Sequence, residues 1–524
     1  MAPRGLAVLL GALGTAAAYD NGAPHSRTPP LGWSSWVSLA PEDNHPIFDY
    51  CDEESVKHAA DAFHEVGLYD AGYRHFHLDD CWSGGRNASG FLFPEKRHFP
   101  NGMRSLVDYV HSKGLSFGLY TCAGTEVCVG GRPGSRDHWL QDAAIFAEWG
   151  VDWVKMDWCH TEGLKPADTY PLMSKAMNST GHSMHLNMCE WGRDSPWEWG
   201  PQVAQSWRMS QDHTGNWQST KDIVRLSAAI PAANSGRPYG WNDMDMLETG
   251  NYEQAAHANG HIGNMTEDEY MTEFSMWAIS ASPLMVTTPI MNCTRTSTGE
   301  QRRLGGHAFP SVAGASGTSS SAKRATGCRI VRVEQLSKAP CEEGVSYGCF
   351  AENASMWTDK GCCAYFVLDG GDRSILCDVE GEGRHICSPQ ALPVPTVSCK
   401  GWISHLQRKI LLNTEVIAIN QDVTPQGRPV KDGDLRVWSR HLSDGSVAVA
   451  LYNEEDKEQE LAVDFTDLGW APDTLAEVRD LWAHEDLGTF HGRYPAQGDF
   501  RKVPAHATAL LRLSEHSRGS DLLF

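Results

Sequence analysis

The sequence predicts an α/β protein: a closed (β/α)8 barrel with a cysteine-rich insertion, followed by a C-terminal antiparallel β-sandwich. Three observations predict it. From Pro30 to about Thr288 short apolar runs alternate with longer amphipathic stretches, the pattern of a parallel sheet covered by helices. Eight such units in roughly 250 residues suit a closed barrel better than an open sheet. Beyond about Val430 the pattern turns to short alternating strands separated by turn pairs such as Asp444-Gly445.

The eight strand candidates are residues 31–36, 73–80, 115–121, 151–157, 185–190, 206–210, 239–246 and 283–288. Stretches with apolar residues at three- and four-residue spacing, at 54–66, 103–112, 137–149 and 267–279, read as helices between them. No G-x-G-x-x-G follows the first strand, which removes the main support for a dinucleotide-binding fold. After the eighth strand, residues 305–325 are rich in Gly, Ser and Ala and read as a linker. Cys328, Cys341, Cys349, Cys362, Cys363, Cys377, Cys387 and Cys399 then mark a block held by disulfides. Eight cysteines allow 105 pairings, and the sequence selects none. Helical spacing resumes at 402–412, the delayed eighth helix. The expected domains are thus a barrel over 19–303 completed by 400–428, an insertion over 304–399, and a sandwich over 429–524. An insertion after strand eight leaves from the C-terminal face of the barrel, which predicts a place beside the substrate cleft.

Composition bounds the function. A net charge of -22 repels polyanions, so nucleic acid is excluded as a partner. Residues 1–18 read as a signal peptide: Arg4, an apolar run from Leu6 to Leu13, and small Ala16 and Ala18 before Tyr19. That run is far shorter than the ~20 residues that cross a bilayer, so membrane insertion is not expected. Five Asn-x-Ser/Thr sequons, at Asn87, Asn178, Asn264, Asn292 and Asn353, and fifteen cysteines fit a secreted glycoprotein or a lysosome- or vacuole-like destination. A homodimer is a further expectation.

Carboxylates gather where the strands end: Asp79 and Asp80, Asp157, Glu190, Asp243 and Asp245. That is the face on which barrel enzymes build their sites. In Lys155-Met156-Asp157 the alternation of a strand puts Lys155 and Asp157 on one side, and a nearby ammonium favours an ionised carboxylate. An ion pair closing the barrel is as good an account of this segment alone. Asp212, just past an apolar strand carrying Arg208, is the second acid of a two-carboxylate pair, or else the N-cap of the next helix. Asp79-Asp80 could accept bonds from neighbouring sugar hydroxyls, or cap a helix, or bind a metal.

Together these segments resemble the melibiase-type α-galactosidase and α-N-acetylgalactosaminidase family. The family's strings stand in order: Leu31-Gly32-Trp33-Ser34-Ser35-Trp36, Leu78-Asp79-Asp80-Cys81-Trp82, Tyr109-Val110-His111, Lys155-Met156-Asp157, Cys189-Glu190-Trp191, Trp207-Arg208, Asn242-Asp243-Met244-Asp245-Met246 and Ile419-Asn420-Gln421-Asp422. The resemblance implies a retaining glycosidase acting on small or polymeric α-galactosides, with Asp157 as nucleophile and Asp212 as general acid/base. It implies a substrate-binding set of Trp36, Asp79, Asp80, Tyr120, Cys128, Lys155, Cys189, Glu190, Trp191, Arg208, Asp245 and Met246. It also implies the disulfides Cys51–Cys81 and Cys128–Cys159. The mechanism calls for no metal and no cofactor.

Three departures stand out. Cys122 replaces the usual Asp, Cys189 lacks a partner found in some members, and Met244 replaces the usual Pro. The bulky, polar run from Cys189 to Arg193 argues for galactose over an acetamido sugar, and the retained Asp79-Asp80 pair argues against a β-L-arabinopyranosidase. Two intact carboxylates argue against a non-catalytic galactose-binding protein.

Overall fold

The computed structural model describes residues 19–38, 51–251, 265–295, 300–303 and 397–516. Between 330 and 387 it describes the stretches 330–335, 341–349, 356–360, 362, 364–368, 374–377 and 385–387. The expected signal peptide and the linker at 305–325 lie outside the described residues.

All eight barrel strands form. They are β1 (Leu31–Ser34), β2 (His75–Leu78), β3 (Ser116–Cys122), β4 (Trp153–Asp157), β5 (His185–Cys189), β6 (Ser206–Arg208), β7 (Trp241–Asp243) and β8 (Leu284–Val286), in one parallel sheet of order β8-β1-β2-β3-β4-β5-β6-β7. Leu247, just past β7, closes the ring: it pairs with Val286, donating to Met285 O at 2.8 Å and accepting from Thr287 at 3.1 Å.

The helices between strands are α1 (Glu53–Glu65), α2 (Gly102–Ser112), α3 (Trp139–Trp149), α4 (Pro166–Ser179), α5 (Trp217–Ala229) and α6 (Glu267–Ile279). Three of them, α1, α5 and α6, start at a side-chain cap. Asp52 accepts from Ser55 N at α1, and Thr266 with Glu269 forms a capping box at α6. The delayed helix is in fact two. Ser404 and Gln407 form a capping box for α7 (His405–Leu411), and Asn413 caps α8 (Thr414–Asn420) while its amide donates to Leu481 O at 2.9 Å.

Helix α6 is buried over most of its circumference because it lies between two layers. One is the barrel. The other is a six-stranded antiparallel sheet in the order Arg428–Lys431, Asp434–His441, Val447–Tyr452, Thr508–Glu515, Leu475–Asp480, Glu485–His491. Every residue of its third element in the chain, Val447–Tyr452, is buried. Val447, Val449 and Leu451 join a core with Phe465, Leu468 and Leu511, and the alternate residues Ala448 and Ala450 are buried on the opposite face. Arg440 ties this sheet to the barrel through carbonyls alone, including Ile419 O, Asp422 O at 2.9 Å and Thr424 O at 2.8 Å. Burial lowers its guanidinium to about 10.

The cysteine-rich insertion forms a unit of its own. Between 330 and 387 its described strands make two three-stranded antiparallel sheets, a third three-stranded sheet joins Met291–Arg295, Glu300–Arg303 and Val397–Gly401, and Cys341 pairs with Cys362.

Candidate active site

The site forms where strands β2 to β7 end, because alternate residues of each strand face inward. The registers His77 to Gly118, Tyr120 to Lys155, Asp157 to Cys189 and Asn187 to Ser206 bring these residues into layers. Gly118 belongs to this arrangement by size, since a Cβ there would meet His77 Nδ1 at 2.8 Å.

Asp157 ends β4 and is buried. Its Oδ2 accepts from Tyr120 OH at 3.1 Å and its Oδ1 from Trp158 N at 2.8 Å. Burial pushes the carboxyl above the ordinary carboxylate value; Lys155 pulls it down, and Asp212 pushes it up again. Tyr120 is fixed as a donor because burial and Asp157 both raise its phenol well above the usual value. Its oxygen accepts from Cys128 N at 3.3 Å.

The Lys155 ammonium bonds to Asp79 Oδ2 at 2.9 Å rather than to Asp157, so the ion pair that closes the barrel lies between β4 and β2. Burial opposes the charge on Lys155, yet Asp79, Cys189 and Asp157 together hold its pKa above the usual lysine value. Trp36 and Tyr120 flank it, with ring centroids 5.7 and 5.2 Å from Nζ. Asp79 is buried too, but Lys155 and His77 outweigh that and hold its carboxyl well below the ordinary range. Asp80 faces Arg132 at 3.4 Å and accepts from Val129 N at 3.1 Å; burial pushes it up to about 6.

On the far side Arg208 reaches Asp245 at 2.7 Å and Asp212 at 3.1 Å, with Cys189 Sγ 3.5 Å from its other terminal nitrogen. Asp212 does not cap a helix. The cap of α5 is Asn216, which accepts from Ser219 N, and the side chain of Asp212 stays 57% exposed. Asp245 accepts from His213 N at 2.6 Å and Met246 N at 2.8 Å, and burial raises it to about 6 against the pull of Arg208. Its φ of +85° aims the carboxylate across the mouth, at a cost of about 1–3 kcal/mol for a residue other than glycine. Met246 is half-buried beside it.

The loop after β5 is strained more heavily. Trp191, Gly192, Asp194 and Ser195 all have positive φ, and a Cβ on Gly192 would meet Met209 O at 2.3 Å. Cys189 is buried with its thiol raised well above the usual value, first by burial and then by Asp157. Glu190 is wholly buried, and neither carboxyl oxygen meets a protein donor. Burial raises its carboxyl well above the ordinary range.

Both implied disulfides of the site form, Cys51–Cys81 and Cys128–Cys159. The sulfurs of Cys128 and Cys159 and a carboxylate oxygen of Asp157 lie within 4.8 Å of one another. A disulfide leaves no thiolate for a metal there, so it acts as a rigid wall against Asp157.

Three residues absent from the expected set hold members of it. His77 Nε2 is 3.2 Å from Asp79, Arg132 faces Asp80, and His213 N donates to Asp245. Only His77 carried a sequence signal, its place two residues before Asp79, which follows the end of β2.

A family model described as alpha galactosidase A matches residues 28–300, and one described as the alpha galactosidase C-terminal beta sandwich domain matches 432–513. The chain belongs to the α-galactosidase A family. The α-galactosidase of Cyamopsis tetragonoloba is 30% identical over 494 residues, 94% of this chain and 87% of that protein. Alpha-galactosidase A of Cellvibrio japonicus is 39% identical over 281 residues, 52% of this chain and 64% of that one. The fold matches α-galactosidase I from Mortierella vinacea with a TM-score of 0.62 at 23% identity, covering 94% of this chain and 98% of the other.

Two departures from the family's usual residues now have structural settings. Met244, where many members carry Pro, donates its N–H to Ser282 Oγ at 2.9 Å, a bond Pro cannot make. Cys122, in place of Asp, is buried with its thiol 3.2 Å from Cys159 O, and burial raises its pKa.

Proposed function

We propose that Asp157 is the nucleophile and Asp212 the general acid/base at the mouth of this barrel. The chain is an α-galactosidase, a retaining hydrolase that releases terminal α-linked galactose. One observation supports the division of roles. Asp79, Asp80, Asp212 and Asp245 each face a lysine or an arginine, whereas Asp157 is held by a phenol and a backbone N–H. A carboxylate held by neutral donors keeps a lone pair free to attack the anomeric carbon. Asp212, more than half exposed, can exchange its proton with water between steps.

In the first step Asp157 attacks and Asp212 protonates the departing glycosidic oxygen; in the second Asp212 takes a proton from water, which displaces Asp157. The ion pair of Asp79 with Lys155, and Arg208 with Asp245, present charged groups to the sugar hydroxyls. Because burial raises the Asp157 carboxyl, activity should climb with pH through a limb above the ordinary carboxylate range. The test is hydrolysis of an aryl α-galactoside followed by NMR. The α-anomer of galactose should appear first; the β-anomer first, or no hydrolysis, rejects the assignment. The loop from Cys189 to Arg193 further predicts kcat/KM for the galactoside above that for the α-N-acetylgalactosaminide by roughly 100-fold, about 2.7 kcal/mol of steric exclusion. Comparable values would show that the loop leaves room.

A secretory route is proposed on the same terms. Of the five sequons, Asn87 and Asn178 are exposed, and disulfides brace the mouth. Protein purified from a secreting eukaryotic host should begin at Tyr19 and lose mass on deglycosylation.

A further inference from the structure

At the middle of α6, between two layers of the molecule, stands a wholly buried acid, Glu273. A buried carboxyl is costly unless it is partnered, so its partners indicate its purpose. Its Oε1 lies 2.9 Å from His213 Nε2 and accepts from Glu248 N at 2.9 Å, and its Oε2 accepts from Thr249 Oγ1 at 3.1 Å. These groups belong to the loops after β6 and β7, which carry Asp212 and Asp245. We propose that Glu273 positions the acid/base Asp212 by fixing the imidazole of His213, the next residue in the chain. This inference rests on the role of Asp212 given above and deepens it.

Asp212 needs such support because its own side chain, more than half exposed, has only Arg208 beside it at 3.1 Å to set its place. The chain leaving β6 is tied at Met209 N, to Asp243 O at 3.0 Å, and then at His213 N, to Asp245 Oδ2 at 2.6 Å. The His213 ring is pinned at both nitrogens. Opposite Glu273, its Nδ1 lies 2.9 Å from Ser219 Oγ, which also accepts from Thr214 N at 3.0 Å. A ring pinned at both ends fixes its own Cα, and with it the peptide from which Asp212 extends.

One turn further along α6, Trp277 lies on the same face as Glu273. Its ring centroid is 5.2 Å from that of His213, and its Nε1 donates to Asp245 O at 2.8 Å. One helix face therefore supports both acids, Asp212 through His213 and Asp245 through Trp277. The precision matters at Asp212, which must reach the departing oxygen first and a water next. A displacement of ~1 Å at a reacting group can cost about 100-fold.

The experiment uses two substrates that differ in their need for an acid. Dinitrophenolate departs without protonation, whereas methanol departs only with it. The ratio of kcat/KM on methyl and dinitrophenyl α-galactosides is measured for the native enzyme, His213→Phe, Glu273→Leu and Glu273→Gln, with Asp212→Ala as reference. His213→Phe keeps the backbone N–H and a ring against Trp277 but loses both ring bonds. His213→Phe and Glu273→Leu should each lose about tenfold more on the methyl than on the dinitrophenyl galactoside, in the direction of Asp212→Ala. Glu273→Gln, which keeps an oxygen for the His213 ring, should bring the ratio back to within about threefold of native. Equal loss on both substrates, or no loss, overturns the proposal, because a residue that only stabilises the fold does not distinguish leaving groups. If Glu273→Leu fails to fold, His213→Phe decides by the same ratio. If Asp212→Ala itself shows no difference between the substrates, the role of Asp212 fails first, and the two failures are distinguishable.

Discussion

The floor and the mouth of the barrel are built from the same three strands, two residues apart, yet they treat charge in opposite ways. The rings of His75, Trp153 and His185 meet and form the floor; alternate residues above them form a middle layer of His77, Lys155 and Asn187, then comes Asp79, one residue past β2, with Asp157 and Cys189 at the mouth. At the floor the rings pack on one another: Trp153 stacks on His185 at 4.1 Å, and His75 meets Trp153 edge-on at 5.1 Å. Burial lowers His75 to about 3 and lowers His185 well below its usual value, so both are neutral and serve as aromatic filling. Above the floor Lys155, from the middle layer, holds Asp79, and Arg208 holds Asp245. Barrel depth therefore decides whether an inward-facing ionisable residue is packing or chemistry, because charge is kept only where an opposite charge is within reach.

The sharpest way to break this contrast is at the mouth. Asp157→Ala should reduce kcat by about 10⁴ or more through loss of the nucleophile, and Asp212→Ala by about 10²–10⁴ through loss of the proton donor. Neither should lower thermal stability, since the first removes a carboxyl whose ionisation burial disfavours and the second a half-exposed one. Azide should restore turnover to Asp157→Gly. Near-native turnover in either Ala variant would sink the mechanism.

The middle layer gives a smaller effect. Neutral His77 can donate through Nε2 to the Asp79 oxygen that also takes Lys155, so His77→Leu leaves that oxygen with one strong donor instead of two. The expected loss in kcat/KM is roughly tenfold, about 1.4 kcal/mol, and it should appear chiefly in KM because Asp79 is placed to hold the sugar. His77→Asn, which keeps an N–H, should recover part of it. Unchanged KM in His77→Leu would mean that Lys155 positions Asp79 alone.

This layering explains how far the sequence could be read. The eight strands and the acids at their ends were legible because alternation within a strand is local: Lys155 and Asp157 share a side whatever surrounds them. Partnership was not. Lys155 was expected beside Asp157, but its bond goes to Asp79, 76 residues earlier, and Arg132 meets Asp80 from a loop with no signal of its own. Strand ends were overestimated for a local reason. Residues 239–246 read as one apolar run, but the strand stops at Asp243, and two residues on Asp245 takes a positive φ. Likewise 402–412 read as one helix, and the capping side chain of Asn413 starts a second. Glu190 belonged to a recognisable string, yet its complete burial depends on packing that no string records.

The floor provides the smallest effect, which should be invisible in activity and at neutral pH. His75 sits at about 3 in the folded chain against an ordinary 6.5, so between those values the unfolded chain binds the proton and the folded one does not. Stability therefore rises with pH across that window, and falls on acidification by up to about 1.4 kcal/mol per pH unit for this residue. Asp80 and Asp245 work with the opposite sign. Their folded values of about 6 exceed the ordinary 3.8, so they gain stability as pH falls from 6 toward 4 and mask the histidine in the native protein. Both are unchanged in His75→Phe and cancel when it is compared with the native chain. The Phe ring keeps the edge-on contact with Trp153 and cannot titrate. Equilibrium unfolding at pH 7 should show little difference, whereas at pH 5 the variant should gain up to about 2 kcal/mol relative to native, with kcat unchanged at either pH. An equal difference at both pH values would show that His75 keeps its proton on folding, and that the floor is held by charge as the mouth is.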